Sequence, residues 1–124
     1  MKRSNANDLG WPDEIKTMIA APPNLKLKLP LEKIAGFCRR WRIARLEIFG
    51  SVLRDDFGPD SDVDLVASYA PDAHWSLLDR VHMKHELEDM LGREVDLLNR
   101  RALQKGNGRA AAILAQTQLV YAES

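Results

Sequence analysis

The chain has a single cysteine, Cys38, in 124 residues, so no disulfide can close within it. A lone thiol suits a reducing compartment, and a cytoplasmic location is expected. Set in KIAGFCRRW, Cys38 reads as a small core residue rather than a nucleophile. Long apolar runs are missing too. None approaches the roughly 20 residues of a membrane span, so no membrane partner is expected. The opening MKRSNANDLGWP is basic but has no apolar stretch behind it, which argues against a secretory leader. Internal repeats and low-complexity tracts are absent. Net charge is absent as well, because 18 Lys/Arg balance 18 Asp/Glu. The balance is uneven along the chain. Residues 1–50 carry ten Lys/Arg against five Asp/Glu, and residues 51–124 carry eight against thirteen. The basic half suits an acidic partner, a nucleotide or RNA, or is simply a solvated face; the acidic half has what a cation site requires.

What remains is 45% hydrophobic and 29% charged, an ordinary globular composition with length for one core but not two. Residues 1–30 read as an N-terminal appendage. WPDEIKTMIAA has helix-start features, Pro12 early and acidic Asp13 and Glu14 behind it, and Pro22-Pro23 ends it. NLKLKLP then alternates, with Leu25, Leu27 and Leu29 on one face. From residue 31 onward the pattern becomes regular. LEKIAGFCRRW (31–41) predicts a helix and ARLEIFG (44–50) a strand. SVLRDDFG predicts a short helix and DVDLVASY (62–69) a second strand. A long helix over about 75–91 stops at Gly92, and its apolar stripe is split between Leu77, Leu78, Val81 and Met83, Leu87, Met90. That split predicts a bend or two neighbours. EVDLLN (94–99), two short helices and QLVYAES complete an α/β (α+β) domain, a small mixed sheet flanked by helices.

Three features between residues 50 and 96 carry chemistry. Gly50-Ser51 marks a strand turning into a helix, where unpaired backbone N–H groups attract anions. Taken alone, Ser51 is also what an ordinary helix N-cap looks like. Asp62 and Asp64 are two apart on a strand, so their side chains leave one face with Cα atoms roughly 6.5–7 Å apart. Such a pair can converge on two divalent ions about 3.5–4 Å apart. Oxygen-only ligands favour Mg²⁺. Asp96, between Val95 and Leu97 of a third strand, adds a carboxylate that would repel the first two unless a cation lies between them. Arg54, one turn after Ser51, projects toward the same end. His82 and His85 lack the further ligands that zinc usually takes. Lys105 and Arg109, around GNG, read as a polar loop, with triphosphate contact as the alternative. Trp11, Trp41 and Trp75 read as anchors, although Trp75 could also border a nucleotide.

A Gly-Ser, ten residues, then Asp-x-Asp, with a third strand aspartate after a helix, resembles the nucleotidyltransferase superfamily related to DNA polymerase β. Over residues 44–123 the chain is similar to its minimal nucleotidyltransferase (MNT) branch, antitoxin-type partners of HEPN toxins. The resemblance implies a polymerase β-like fold over residues 31–124, with Gly50 and Ser51 on the β- and γ-phosphates of ATP; Arg54, by its position, is expected as a further phosphate contact, the alternative being a surface arginine paired with Asp55 or Asp56. It implies Asp62, Asp64 and Asp96 as catalytic residues and ligands of two Mg²⁺ ions. The implied reaction moves AMP from ATP to a hydroxyl of a HEPN ribonuclease toxin, a tyrosine by family pattern, in a type VII-like toxin–antitoxin pair. Direct nucleic-acid binding is not expected, and homo- or hetero-oligomerisation is expected to complete the open site. The alternatives are transfer to a small molecule such as an aminoglycoside, for which the chain lacks an acceptor-binding helical domain, and a non-catalytic antitoxin acting by binding alone. Asp55-Asp56 departs from a loop often richer in glycine, and residues 1–30 have no family counterpart.

Overall fold

The computed structural model of the chain describes residues 17–22, 25, 27–54 and 57–123. Its strands are β1 (Thr17–Ile19), β2 (Ile43–Phe49), β3 (Val63–Tyr69), β4 (Val95–Asn99) and β5 (Gln118–Glu123). Its α-helices are α1 (Leu31–Arg40), α2 (Leu77–Leu91), α3 (Arg100–Gln104) and α4 (Gly108–Ala115). The strands form one mixed sheet in the order β1-β5-β2-β3-β4. Only β3 and β4 run parallel; the other neighbours are antiparallel. Helix α2 supplies the crossover between the parallel pair, as such a connection requires.

Alternation along the strands explains the two layers. Leu46 and Ile48 of β2, with Val63, Leu65 and Ala67 of β3, are buried in the main core. Helix α1 adds Ile34, Ala35, Phe37 and Cys38 to it, and α2 adds Met83 and Leu87. Each of the Val, Leu, Ile, Phe and Met side chains among them contributes roughly 1.5–3 kcal/mol when fully buried. Burial pushes the Cys38 thiol up to about 12, so it is inert as a nucleophile at neutral pH. The opposite face of the sheet carries Glu47, Phe49, Asp64 and Asp96, and α3 and α4 lie beside it.

Helix α2 starts at a capping box, Ser76 Oγ accepting from Asp79 N while Asp79 Oδ2 accepts from Ser76 N. It ends at Gly92 in the left-handed conformation (φ 68°). The split stripe has a simple outcome. Met83 and Leu87 are buried, whereas Leu77 and Leu78 are 73% and 65% exposed. Trp75 packs edge-on against Trp41 (centroids 5.1 Å apart) and donates to the Trp41 carbonyl, so it anchors the core rather than a ligand.

The helix expected from WPDEIKTMIAA falls partly on residues 11–16, outside the described residues. Where the structure describes it, the expectation fails: Thr17–Ile19 is a strand paired with Tyr121–Glu123 of β5. The open edge of β5 offers unpaired ladder groups, and β-branched Ile19 suits them better than a helix cut short by Pro22. Among the described residues, no helix is long and apolar enough to cross a membrane.

Candidate active site

Strand β2 ends at Phe49 because Gly50 turns the chain with φ 88°, a region that side chains rarely adopt. A Cβ at Gly50 would collide with Oδ2 of Asp64 and stand 3.3 Å from its Cγ. The glycine therefore both makes the turn and leaves space for a carboxylate. Gly50→Ala is expected to cost about 1–2 kcal/mol through its backbone conformation. If Asp64 serves the transfer that the sequence resemblance implies, displacing it should lower that rate about a hundredfold. Thermal unfolding and a rate measurement check the two halves; a full-speed variant would remove Gly50 from the site.

The sequence predicts a helix after Gly50, but only one 3₁₀ turn forms, Gly50–Leu53, closed by Arg54 N donating to Ser51 O at 2.8 Å. Val52 is fully buried and pulls the turn into the core, and Arg54 is already extended (φ −117°, ψ 165°). Asp55 and Asp56 lie outside the described residues. Arg54 still lines a cavity of about 440 Å³ together with Gly50, Ser51, Asp62 and Asp64. The expected grouping forms, though not through helical phase.

Register accounts for the carboxylates. Phe49 pairs with Asp64 across the antiparallel β2/β3 ladder, and Asp64 is level with Asp96 in the parallel β3/β4 pair. Level residues lean to one face, so Asp64 and Asp96 are neighbours. Asp62 stands exposed just before β3, separated from Asp64 by the buried Val63. Burial, then Asp96, then Asp62 push the Asp64 carboxyl above the usual carboxylate range, and Arg54 opposes them. Asp96 lines a second cavity of about 400 Å³, walled by Leu98, Leu103, Ala110 and Ile113. Asp64, Phe49, Arg109 and Ile113 border both cavities.

Among the described residues, no three His, Cys, Asp or Glu side chains converge closely enough to hold a metal unaided. Mg²⁺ does not need such a cage, because it takes one or two carboxylates and completes its shell with water and phosphate oxygens. The donors here fit that ion: hard oxygens, and a carboxylate destabilised by two others. His82 and His85 are exposed on α2.

Two contributors, Arg93 and Glu47, escaped the sequence reading, and a third, Arg109, was read there first as part of a polar loop, with triphosphate contact as the alternative. Arg93 Nη1 donates to the carbonyls of Gly58 (2.7 Å), Ser61 (3.2 Å) and Pro59 (3.3 Å), and its guanidinium lies 4.3 Å over Phe57. It thus shapes the turn that delivers Asp62. Glu47, buried on β2, accepts from Arg100 and Thr117. Arg109 borders both cavities; a cation in the first turn of a helix, against its dipole, was a readable signal.

Known proteins resemble the chain in sequence and in fold. A family model described as a nucleotidyltransferase domain matches residues 31–120. The chain is 39% identical over 66 residues to a Methanocaldococcus jannaschii protein provisionally assigned as a protein adenylyltransferase, covering 53% of this chain and 69% of that one. It is 33% identical over 67 residues to the protein adenylyltransferase MntA of Thermococcus cleftensis, covering 54% and 66%. Among solved structures, one assigned as a minimal nucleotidyltransferase is 30% identical with a TM-score of 0.56, covering 71% of this chain and 86% of that one. A toxin–antitoxin complex with AMP-PNP gives a TM-score of 0.60 at 19% identity, covering 77% and 76%. A complex of an MNT antitoxin with a tri-AMPylated Shewanella oneidensis HEPN toxin gives 0.51 at 20% identity, covering 72% and 66%. The last two likenesses are of fold alone.

Proposed function

Because the chain belongs to the nucleotidyltransferase-domain family, in its minimal, MntA-like branch, we propose that it moves AMP from ATP to a tyrosine hydroxyl of a HEPN ribonuclease toxin, which it thereby silences as the antitoxin. The catalytic unit is residues 31–124, and residues 1–30 are an N-terminal addition. One observation carries the reading: Asp64 borders both a polar cavity with the Gly50-Ser51 turn and an apolar one with Asp96. Two reactants can thus meet at one carboxylate.

In this reading the triphosphate lies in the polar cavity, its oxygens on Ser51, Arg54 and the backbone around Gly50. The acceptor enters beside Asp96. Its hydroxyl loses its proton to the Asp96 carboxylate as the oxygen attacks the α-phosphorus. The bond from the α-phosphorus to the bridging oxygen breaks, and its electron pair leaves with pyrophosphate. Asp62, Asp64 and Asp96 would hold Mg²⁺, which neutralises the carboxylates and stabilises the entering and leaving oxygens. Walls of Leu98, Leu103, Ala110 and Ile113 suit an aromatic ring. They suit a polycationic aminoglycoside poorly, because such a ligand calls for acidic walls. The solved complex of an MNT antitoxin with a HEPN toxin, similar in fold, supports the choice of partner.

The test incubates the protein with Mg²⁺, α-labelled ATP and a HEPN toxin, taken first from the product of the neighbouring gene. The toxin is expected to gain label and the mass of AMP, with no label from γ-labelled ATP. An unlabelled toxin would overturn the reading.

A further inference from the structure

Arg109 is a cation that the fold itself does not explain. Its backbone is tightly held: Asn107 Oδ1 accepts from Arg109 N (3.0 Å) and Ala110 N (3.4 Å), and the following Ala110 is buried. A Cβ on Gly106 would stand 2.7 Å from the Ala110 Cβ, so the loop before α4 packs closely against that helix. The side chain, by contrast, is exposed, and among the described residues its guanidinium makes no hydrogen bond or ion pair. Its position in the first turn of α4 sets a positive charge against the positive end of the helix dipole. Asn107 already caps the free N–H groups there, so the charge adds nothing to that helix. Yet Arg109 borders both cavities, beside Gly50, Ser51 and Asp64 in one and beside Asp96 in the other. An exposed cation of this kind, on a fixed backbone at the rim of an anion-sized space, is placed for a ligand.

We propose that Arg109 grips the β- and γ-phosphates of the nucleotide and retains the charge of the departing pyrophosphate. The inference rests on the nucleotidyltransferase reading above. Arg54 follows the Gly50-Ser51 turn and Arg109 arrives from α4, so the polyphosphate lies between two guanidinium groups from different parts of the chain. The forked donors of arginine match phosphate oxygens in pairs, which a lysine does not reproduce. Negative charge grows on the pyrophosphate oxygens as the bond to the α-phosphorus breaks, so the same contact strengthens along the reaction. Arg109 moves no proton and forms no bond. It selects ligands that carry a polyphosphate over those that carry one phosphate.

Calorimetric titration of the full-length protein with ATP, inorganic pyrophosphate and AMP, each with and without Mg²⁺, tests the assignment. In Arg109→Ala, affinity for ATP and pyrophosphate should fall about 10- to 100-fold, the loss expected for a charge-assisted hydrogen-bonded pair. AMP affinity should stay the same, KM for ATP should rise in parallel, and Arg109→Lys should recover only part of the loss. Thermal unfolding of Arg109→Ala should match the parent, because an exposed cation at a helix start supports no packing. Equal binding of pyrophosphate by parent and variant would overturn the inference. So would an equal loss of all three ligands, which would mark a structural role. A parent protein that binds no nucleotide at all would instead bring down the nucleotidyltransferase reading, and this inference with it.

Discussion

Asp64→Asn is expected to lower AMP transfer on the order of a thousandfold while leaving the unliganded fold as stable as before, or more so. The activity half follows from position. Asp64 alone among the three carboxylates borders both cavities, and it is level with Asp96 in the sheet. Asparagine keeps the shape but loses the charge that a divalent cation needs. The stability half follows from sign. Burial, Asp96 and Asp62 all raise the Asp64 carboxyl, so the fold favours its protonated form. A folded value above the unfolded one gives stability that is present at low pH and lost as pH rises past the ordinary carboxylate range. At neutral pH the ionised carboxylate therefore costs stability, and asparagine relieves it. Mg²⁺ should stabilise the parent by binding the native state and should lose that effect in the variant. Thermal unfolding with and without Mg²⁺, beside a transfer assay, reads both halves. Retained activity, or a variant that melts well below the parent, would contradict the argument.

How much of this was legible depends on the range of the interactions. The ten-residue spacing from Gly50-Ser51 to Asp62 is local, because it spans a strand end, a turn and the start of the paired strand. Phe49 and Asp64 are cross-strand partners in consequence, and the motif's two ends meet in one cavity. Asp96 was legible because apolar neighbours on both sides marked a strand, and a parallel crossover set it beside Asp64. That the helix expected after Gly50 stops at one 3₁₀ turn was not legible: burial of Val52 decides that turn, and propensity does not report it. The strand at Thr17–Ile19 depends on a partner a hundred residues away in sequence. Glu47 lies between Leu46 and Ile48, on the face of β2 away from the main core. Nothing near it in sequence announced that Arg100 and Thr117 would close over it. The split stripe of α2 was real, but a sequence pattern cannot say which half a core will cover.

Glu47→Ala is expected to be the most damaging single change to the fold, at about 3–5 kcal/mol. The carboxylate is only 4% exposed, in the middle of β2. Its Oε1 accepts from Arg100 Nη1 at 2.5 Å, and its Oε2 accepts from Thr117 Oγ1 at 2.9 Å, with Arg45 Nε 3.5 Å away. Arg100 opens α3 and Thr117 follows α4. One side chain therefore ties both ends of the α3–α4 segment, the segment that carries Asn107 and Arg109, to the centre of the sheet. Removing it strands a partly buried guanidinium and leaves a void beside β2, and both effects destabilise. Domains of this kind hold about 5–15 kcal/mol in total, so the midpoint should fall by about 10–20 °C. Glu47→Gln keeps an acceptor for Thr117 and should lose less. Replacing Glu47 and Arg100 together with apolar residues of similar volume should restore much of the stability, because no unpaired charge then remains. It should not fully restore nucleotide affinity, since α4 would no longer be held in register over Asp64 and Asp96. Urea unfolding of the three variants, with KM for ATP measured on those that stay folded, separates the effects. A loss below about 1 kcal/mol in Glu47→Ala would mean that the cluster is a solvated ion pair and that packing of Ala110 and Leu103 holds the segment instead.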